Sequence, residues 1–108
     1  VIGLSYYPYW IKKDYAETIA DLQFNLNDMA QRYNKEVMIV EVGGEDDKIQ
    51  NTYELLVATI KAVKNVPNNK GIGILYWEPQ GARSWSHYAL SAWLPDGKPS
   101  PALDAFKE

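Results

Sequence analysis

The chain has 108 residues, 46% hydrophobic and 23% charged, which describes one modest globular domain and is too short for two. A net charge of −3 leaves no basic footprint for nucleic acid or an anionic membrane surface. The absence of cysteine excludes a disulfide framework, a thiolate metal site and a cysteine nucleophile.

Val1 to Ser5 opens the chain as the inside of an apolar strand, with no initiator Met and no leader pattern. Such a start suggests a piece of a larger protein. From Tyr15 to Tyr33 the positions Ile19, Leu22, Leu26, Met29 and Tyr33 step by three and four, one face of a helix. Asp14 is its N-cap, and Glu17 three residues on completes a capping box. Val37 to Val42 is rich in β-branched residues and reads as a second strand. A second helix follows from about Asn51 to Val66, with Tyr53, Leu56, Val57, Ile60 and Val63 on its face and Pro67 as its stop. Gly71 to Trp77 is a third strand, closed by Pro79. After a long connection, Ser100-Pro101 signals a last short helix with its body at Ala102 to Phe106. No apolar run approaches the ~20 residues of a membrane helix.

Strands alternating with helices predict an α/β fold with a parallel sheet and right-handed crossovers. Continuously apolar strands predict cover on both faces. Ligands in such folds bind at the carboxyl ends of the strands. Here those ends carry Tyr6, Tyr7, Tyr9 and Trp10 after the first strand, Glu41 in the second, and Trp77-Glu78 after the third. Glu41 is a charged residue inside a β-branched run, costly unless it is paired or functional. Two readings stand side by side: a carboxylate bonded to a neighbouring cation or amide, or a site residue. Strict alternation puts Val37 and Ile39 on the side of Glu41, with Met38, Val40 and Val42 toward the helices. The same count groups Gly71, Gly73, Leu75 and Trp77, with the glycines relieving crowding inside a narrow barrel. Aromatics beside carboxylates suit a sugar ring, which presents apolar C–H faces and hydroxyls.

Glu78 is close enough in the chain to pair with Glu41, since neighbouring strands lie ~4.8 Å apart. It follows the inward Trp77, however, and turns the other way, which favours a supporting hydrogen-bonding role. Trp85 and His87 lie in the long connection and are carried as substrate-binding candidates. His87 has no serine on a sharp strand-to-helix turn to serve, so a catalytic triad has no support. Glu45-Asp46-Asp47 lacks the ligand spacing of a calcium loop and reads as a solvated acidic loop that caps the second helix. No GxGxxG or P-loop pattern is present, so no nucleotide cofactor is expected.

Taken together, Ile2-Gly3-Leu4-Ser5-Tyr6-Tyr7-Pro8-Tyr9-Trp10, Val40-Glu41 and Gly71-Ile72-Gly73-Ile74-Leu75-Tyr76-Trp77-Glu78-Pro79 resemble glycoside hydrolase family 53. Asn25-Leu26-Asn27-Asp28, Arg32-Tyr33-Asn34-Lys35 and the closing Pro101-Ala102-Leu103-Asp104-Ala105-Phe106 strengthen the likeness. The resemblance implies residues 1–108 of the C-terminal part of a (β/α)8 barrel, strands six to eight, with the first five β/α units missing. It implies a secreted, periplasmic or cell-surface retaining endo-β-1,4-galactanase acting on galactan or arabinogalactan. Glu41 matches the nucleophile, Trp77 the aromatic platform, and Tyr7 a neighbour able to hydrogen-bond the Glu41 carboxylate. Tyr7, Trp10, Trp77, Glu78, Trp85 and His87 form the expected substrate-binding set. A non-proline cis peptide after Trp77 is common in this clan. The acid/base, a Glu after an Asn on the fourth strand, has no counterpart in this chain, so the chain alone is expected to be inactive. Some bacterial members bind calcium in long seventh and eighth loops, whereas the loop after Glu41 is short; no metal is expected. The rival reading is a non-catalytic carbohydrate-binding α/β module. Open sheet edges also predict self-association of the isolated chain.

Overall fold

A computed structural model describes residues 1–107. Strand β1 (Ile2–Tyr6) runs through a 3-10 turn at Pro8–Ile11 into helix α1 (Tyr15–Tyr33). Strand β2 (Val37–Val42) is followed by helix α2 (Ile49–Lys64), and strand β3 (Gly71–Tyr76) by a one-turn helix α3 (Arg83–Ser86). A 3-10 helix at Pro101–Lys107 closes the described chain. The sheet is parallel in the order β1-β2-β3. That is the expected succession of β/α units, with the last helix wound as 3-10 and Ser100 Oγ accepting from the Ala102 amide at 3.1 Å.

Local chemistry accounts for each helix. The Asp14 carboxylate accepts from the Ala16 amide at 3.2 Å, and the Glu17 carboxylate accepts from the Asp14 amide at 2.9 Å, so the capping box is formed. Asn34 in a left-handed conformation (φ 49°) ends α1. Helix α2 starts two residues before the expected Asn51, and Lys48 at its N-cap gives no side-chain cap. The acidic loop therefore does not cap α2.

One side of the sheet is dry. Val37, Ile39 and Val42 of β2 pack with Leu22, Leu26 and Ala30 of α1 and with Leu55, Leu56, Ala62 and Val63 of α2. Ile2, Leu4 and Tyr6 from β1 and Ile74 and Tyr76 from β3 join the same cluster. The Tyr6 hydroxyl reaches Thr18 Oγ1 at 2.8 Å, and Gln23 Nε2 donates to the Ala62 carbonyl at 2.9 Å, fastening α1 to both the sheet and α2. Tyr33, expected on the buried face of α1, is exposed in the last turn of the helix.

The other side of the sheet is bare: Gly3 and Ser5 are exposed, Leu75 is 55% exposed and Trp77 46%. The expectation that β2 and β3 are covered on both faces is thus met on the helix side alone.

Candidate functional site

A slip in strand pairing aims the central carboxylate. Leu4 lies opposite Ile39, yet Ser5 lies opposite Glu41, which leaves Val40 as an extra residue in β2. A bulge of this kind re-aims the side chains that follow it. The buried residues Ile39 and Val42 are accordingly three positions apart instead of two. Val40 faces Gly3 on the bare side, where a Cβ on Gly3 would meet its side chain at 2.6 Å. Glu41 joins that side, while Val37, Ile39 and Val42 face the helices together. The alternation expected from the sequence is corrected here, since counting by twos cannot anticipate a bulge.

Opposite Glu41, β1 ends in two tyrosines with opposite fates. Tyr6 enters the core, so Tyr7 projects from the other side of the strand and donates its hydroxyl to Glu41 Oε2 at 2.9 Å. Burial, and then the adjacent Glu41 carboxylate, push the Tyr7 ionisation far above the usual tyrosine value, so it stays a donor. The contact is the one the family resemblance implied for Tyr7.

Tyr88 completes this cluster and was not singled out in the sequence, where nothing marks a tyrosine eleven residues beyond Trp77 as a neighbour of Tyr7. Its hydroxyl lies close enough to that of Tyr7 for each to influence the other's ionisation. Burial, reinforced by the charges of Glu78 and Glu41, raises its ionisation, although the contact with Tyr7 opposes that shift.

Trp77 follows β3 and is held by its amide, which donates to the Val42 carbonyl at 3.0 Å. Its ring remains half exposed on the open side of the sheet. The peptide bond after it is trans, contrary to the pattern expected from the clan; the chain turns at Glu78, which takes φ 50°. Glu78 is exposed, and its carboxylate makes no side-chain hydrogen bond or ion pair among the described residues. Trp10 stands 60% exposed on the 3-10 turn, edge-on to Tyr9 with ring centroids 4.8 Å apart. Trp85 is exposed on α3, and His87 caps that turn in a left-handed conformation with its side chain in solvent. These three lie in the loops at the strand ends, and none touches Glu41 by a hydrogen bond.

The acidic loop after β2 proves structural. Asp46 is 4% exposed and is gripped by the Arg83 guanidinium through two hydrogen bonds, the Nε contact at 3.1 Å. The Asp46 amide donates to the Ala89 carbonyl at 2.9 Å. Tyr76 donates to the Leu90 carbonyl at 2.6 Å, and burial pushes its hydroxyl up to about 12. The long segment after Trp77 is therefore pinned to the loop after Glu41. The expected solvated character holds for Asp47 and fails for Asp46, whose partner lies 37 residues away.

A cleft of about 710 Å³ opens beside this site, among Tyr9, Lys12, Asp14, Gly44, Lys48 and Asn51. Glu41 and Trp77 do not line it. It lies outside the sheet, between the N-terminal ends of α1 and α2, and takes no part in the Glu41 cluster.

Comparison with known proteins places this geometry. The model of glycosyl hydrolase family 53 matches residues 1–48 and 44–99. An uncharacterised protein from Niallia circulans is 30% identical over 118 aligned positions, which cover 88% of this chain and 28% of that protein. An arabinogalactan endo-β-1,4-galactanase from Humicola insolens is 29% identical and one from Thermothelomyces thermophilus 27%, each match covering 82% of this chain and 29% of the relative. A solved structure from work on two fungal β-1,4-galactanases superposes with a TM-score of 0.76 at 22% identity, over 98% of this chain and 37% of that one. This chain thus spans less than a third of the length of the curated relatives it matches. Its three parallel β/α units have the fold of part of that larger (β/α)8 barrel, and the chain belongs to glycosyl hydrolase family 53.

Proposed function

We propose that the chain is the C-terminal part, strands six to eight, of a secreted retaining endo-β-1,4-galactanase, with Glu41 as its nucleophile. The observation that carries this reading is the Tyr7–Glu41 hydrogen bond at the carboxyl end of the sheet, on the same open side as the Trp77 ring. Family membership and the galactanases among its relatives support the substrate class.

In this mechanism one carboxylate oxygen of Glu41 attacks the anomeric carbon of a galactosyl unit. The C–O bond to the leaving sugar breaks, and a covalent glycosyl-enzyme forms. Tyr7 holds Oε2, which leaves Oε1 as the attacking atom. Trp77 offers an apolar face under the sugar ring, and Trp10, Trp85 and His87 provide further contact along the glycan. A second carboxylic acid, outside these 108 residues, protonates the departing oxygen and then activates water.

The test is a comparison of the full-length protein with the 108-residue chain on β-1,4-galactan, the products followed by proton NMR. The full-length protein is expected to release galacto-oligosaccharides whose new reducing ends first appear as the β anomer, and the short chain to release none. Products with inverted configuration, or turnover by the short chain, contradict the reading. Binding of galactan without cleavage by the full-length protein favours the carbohydrate-binding module instead.

A further inference from the structure

We propose that Asp46 is a positioning residue for the glycan-binding rim, fixing through Arg83 the turn that presents Trp85, a role that rests on the galactanase reading given above. A carboxylate at 4% exposure is costly unless it is paired and hydrogen-bonded. The chemistry of Glu41 does not use this one, although it lies five residues further on in the same connection. Both Asp46 oxygens are taken by one guanidinium: Arg83 Nε donates to Oδ2 at 3.1 Å, and a terminal nitrogen donates to Oδ1. Such a charge-assisted, two-point grip fixes direction as well as distance. The Asp46 amide donates to the Ala89 carbonyl at 2.9 Å. One buried residue thereby holds both ends of segment 83–89.

Inside that segment the turn is braced locally. The His87 amide donates to the Arg83 carbonyl at 3.0 Å, Ser86 Oγ donates to the Gly81 and Ala82 carbonyls, and the Tyr88 amide donates to Ser86 Oγ at 3.0 Å. These bonds shape the turn without joining it to the loop after Glu41; Asp46 does that. Trp85, two residues after Arg83, is 68% exposed and so adds little to the core. A large aromatic face held out in water on a braced turn suits contact with a sugar ring. Its surroundings fit that use. The limb returning from α3 lies against Gly43, where a Cβ would meet the Leu90 carbonyl oxygen at 3.3 Å and the Tyr7 ring at 3.4 Å. Tyr7 is the donor to Glu41, so this limb borders the nucleophile's own hydrogen bond. Asp47, 65% exposed and 4.0 Å from the same guanidinium, is no substitute for the buried partner.

The experiment compares Asp46→Asn, Trp85→Ala and the double variant in the full-length protein on β-1,4-galactan, assayed well below each thermal midpoint. Asparagine keeps the buried shape and the backbone bond to Ala89 but accepts at one oxygen only. It also avoids the unpaired buried carboxylate that Arg83→Ala would leave. Asp46→Asn is expected to raise KM about 3- to 10-fold, the scale of one aromatic contact, with kcat within about twofold. Trp85→Ala is expected to raise KM at least as much. Because Asp46 acts through Trp85, the double variant is expected to match Trp85→Ala alone. An unchanged KM in Asp46→Asn, a fall in kcat alone, or KM effects that multiply in the double variant overturns the proposal. A residue needed for stability alone would lower the midpoint and leave KM where it was. The turn itself is read by the ¹⁵N relaxation of the Trp85 indole, expected to be ordered in the unmutated protein and mobile on the nanosecond scale in Asp46→Asn. An indole equally ordered in both overturns the proposal whatever the kinetics show. Absence of galactan hydrolysis by the unmutated protein is instead the failure of the functional reading, and the indole comparison still decides the positioning role.

Discussion

Glu41→Gln in the full-length protein is expected to lower galactan hydrolysis by about four orders of magnitude or more while leaving the fold intact. Glutamine keeps the shape of the side chain and can still accept from the Tyr7 hydroxyl through its amide oxygen, so the bulge in β2 and the packing of Val37, Ile39 and Val42 have no reason to change. What is lost is the negative charge that forms the bond to the anomeric carbon. The measurement is steady-state hydrolysis beside the thermal midpoint: activity gone with the midpoint within a degree or two identifies a chemical role. Activity within about tenfold of the parent removes Glu41 from the mechanism.

The second large effect concerns stability, at Gly71. A Cβ placed there would lie 1.9 Å from the Val63 carbonyl oxygen, in the last turn of α2. Backbone cannot yield as the tip of a flexible side chain can. Gly71→Ala must push α2 away from β3 or displace the start of the strand, and the expected loss is about 3 kcal/mol, at the upper end for overpacking. Thermal or urea unfolding of the 108-residue chain measures it. Gly81 is the internal control, because a Cβ built there meets nothing closer than 3.5 Å and its backbone is not in the left-handed region. Equal losses at the two positions would show that the Val63 carbonyl does not govern the site.

Gly71 also shows where sequence reading stops. Its pattern implied relief of crowding inside a barrel, yet the crowding is on the helix side, set by how closely α2 ends against β3. Periodicity located α1 within its capping box, the three strands and the turn at Ser100, because these follow from local rules of spacing and capping. The short apolar and aromatic motifs carried the family, and with it the partner strand of Glu41. Long-range facts were not legible. The extra residue at Val40 that aims Glu41 is a property of the pair β1 and β2, not of β2 alone. Asp46 looked like one of three solvated acids until Arg83 closed over it from the far loop. Tyr88 carried no signal at all, since its meaning depends on a loop folding back over Tyr7. Glu78, by contrast, was marked by its place beside Trp77, and the left-handed turn there leaves its carboxylate in solvent.

The most direct test of the account is covalent trapping. The full-length protein is treated with an activated 2-deoxy-2-fluoro-β-galactobioside, digested with trypsin and analysed by mass spectrometry. A retaining mechanism with Glu41 as nucleophile predicts a fluorogalactobiosyl adduct on the peptide spanning residues 36–48, with fragment ions placing it on Glu41 and not on Glu36, Glu45, Asp46 or Asp47. An adduct on any other carboxylate would contradict the account.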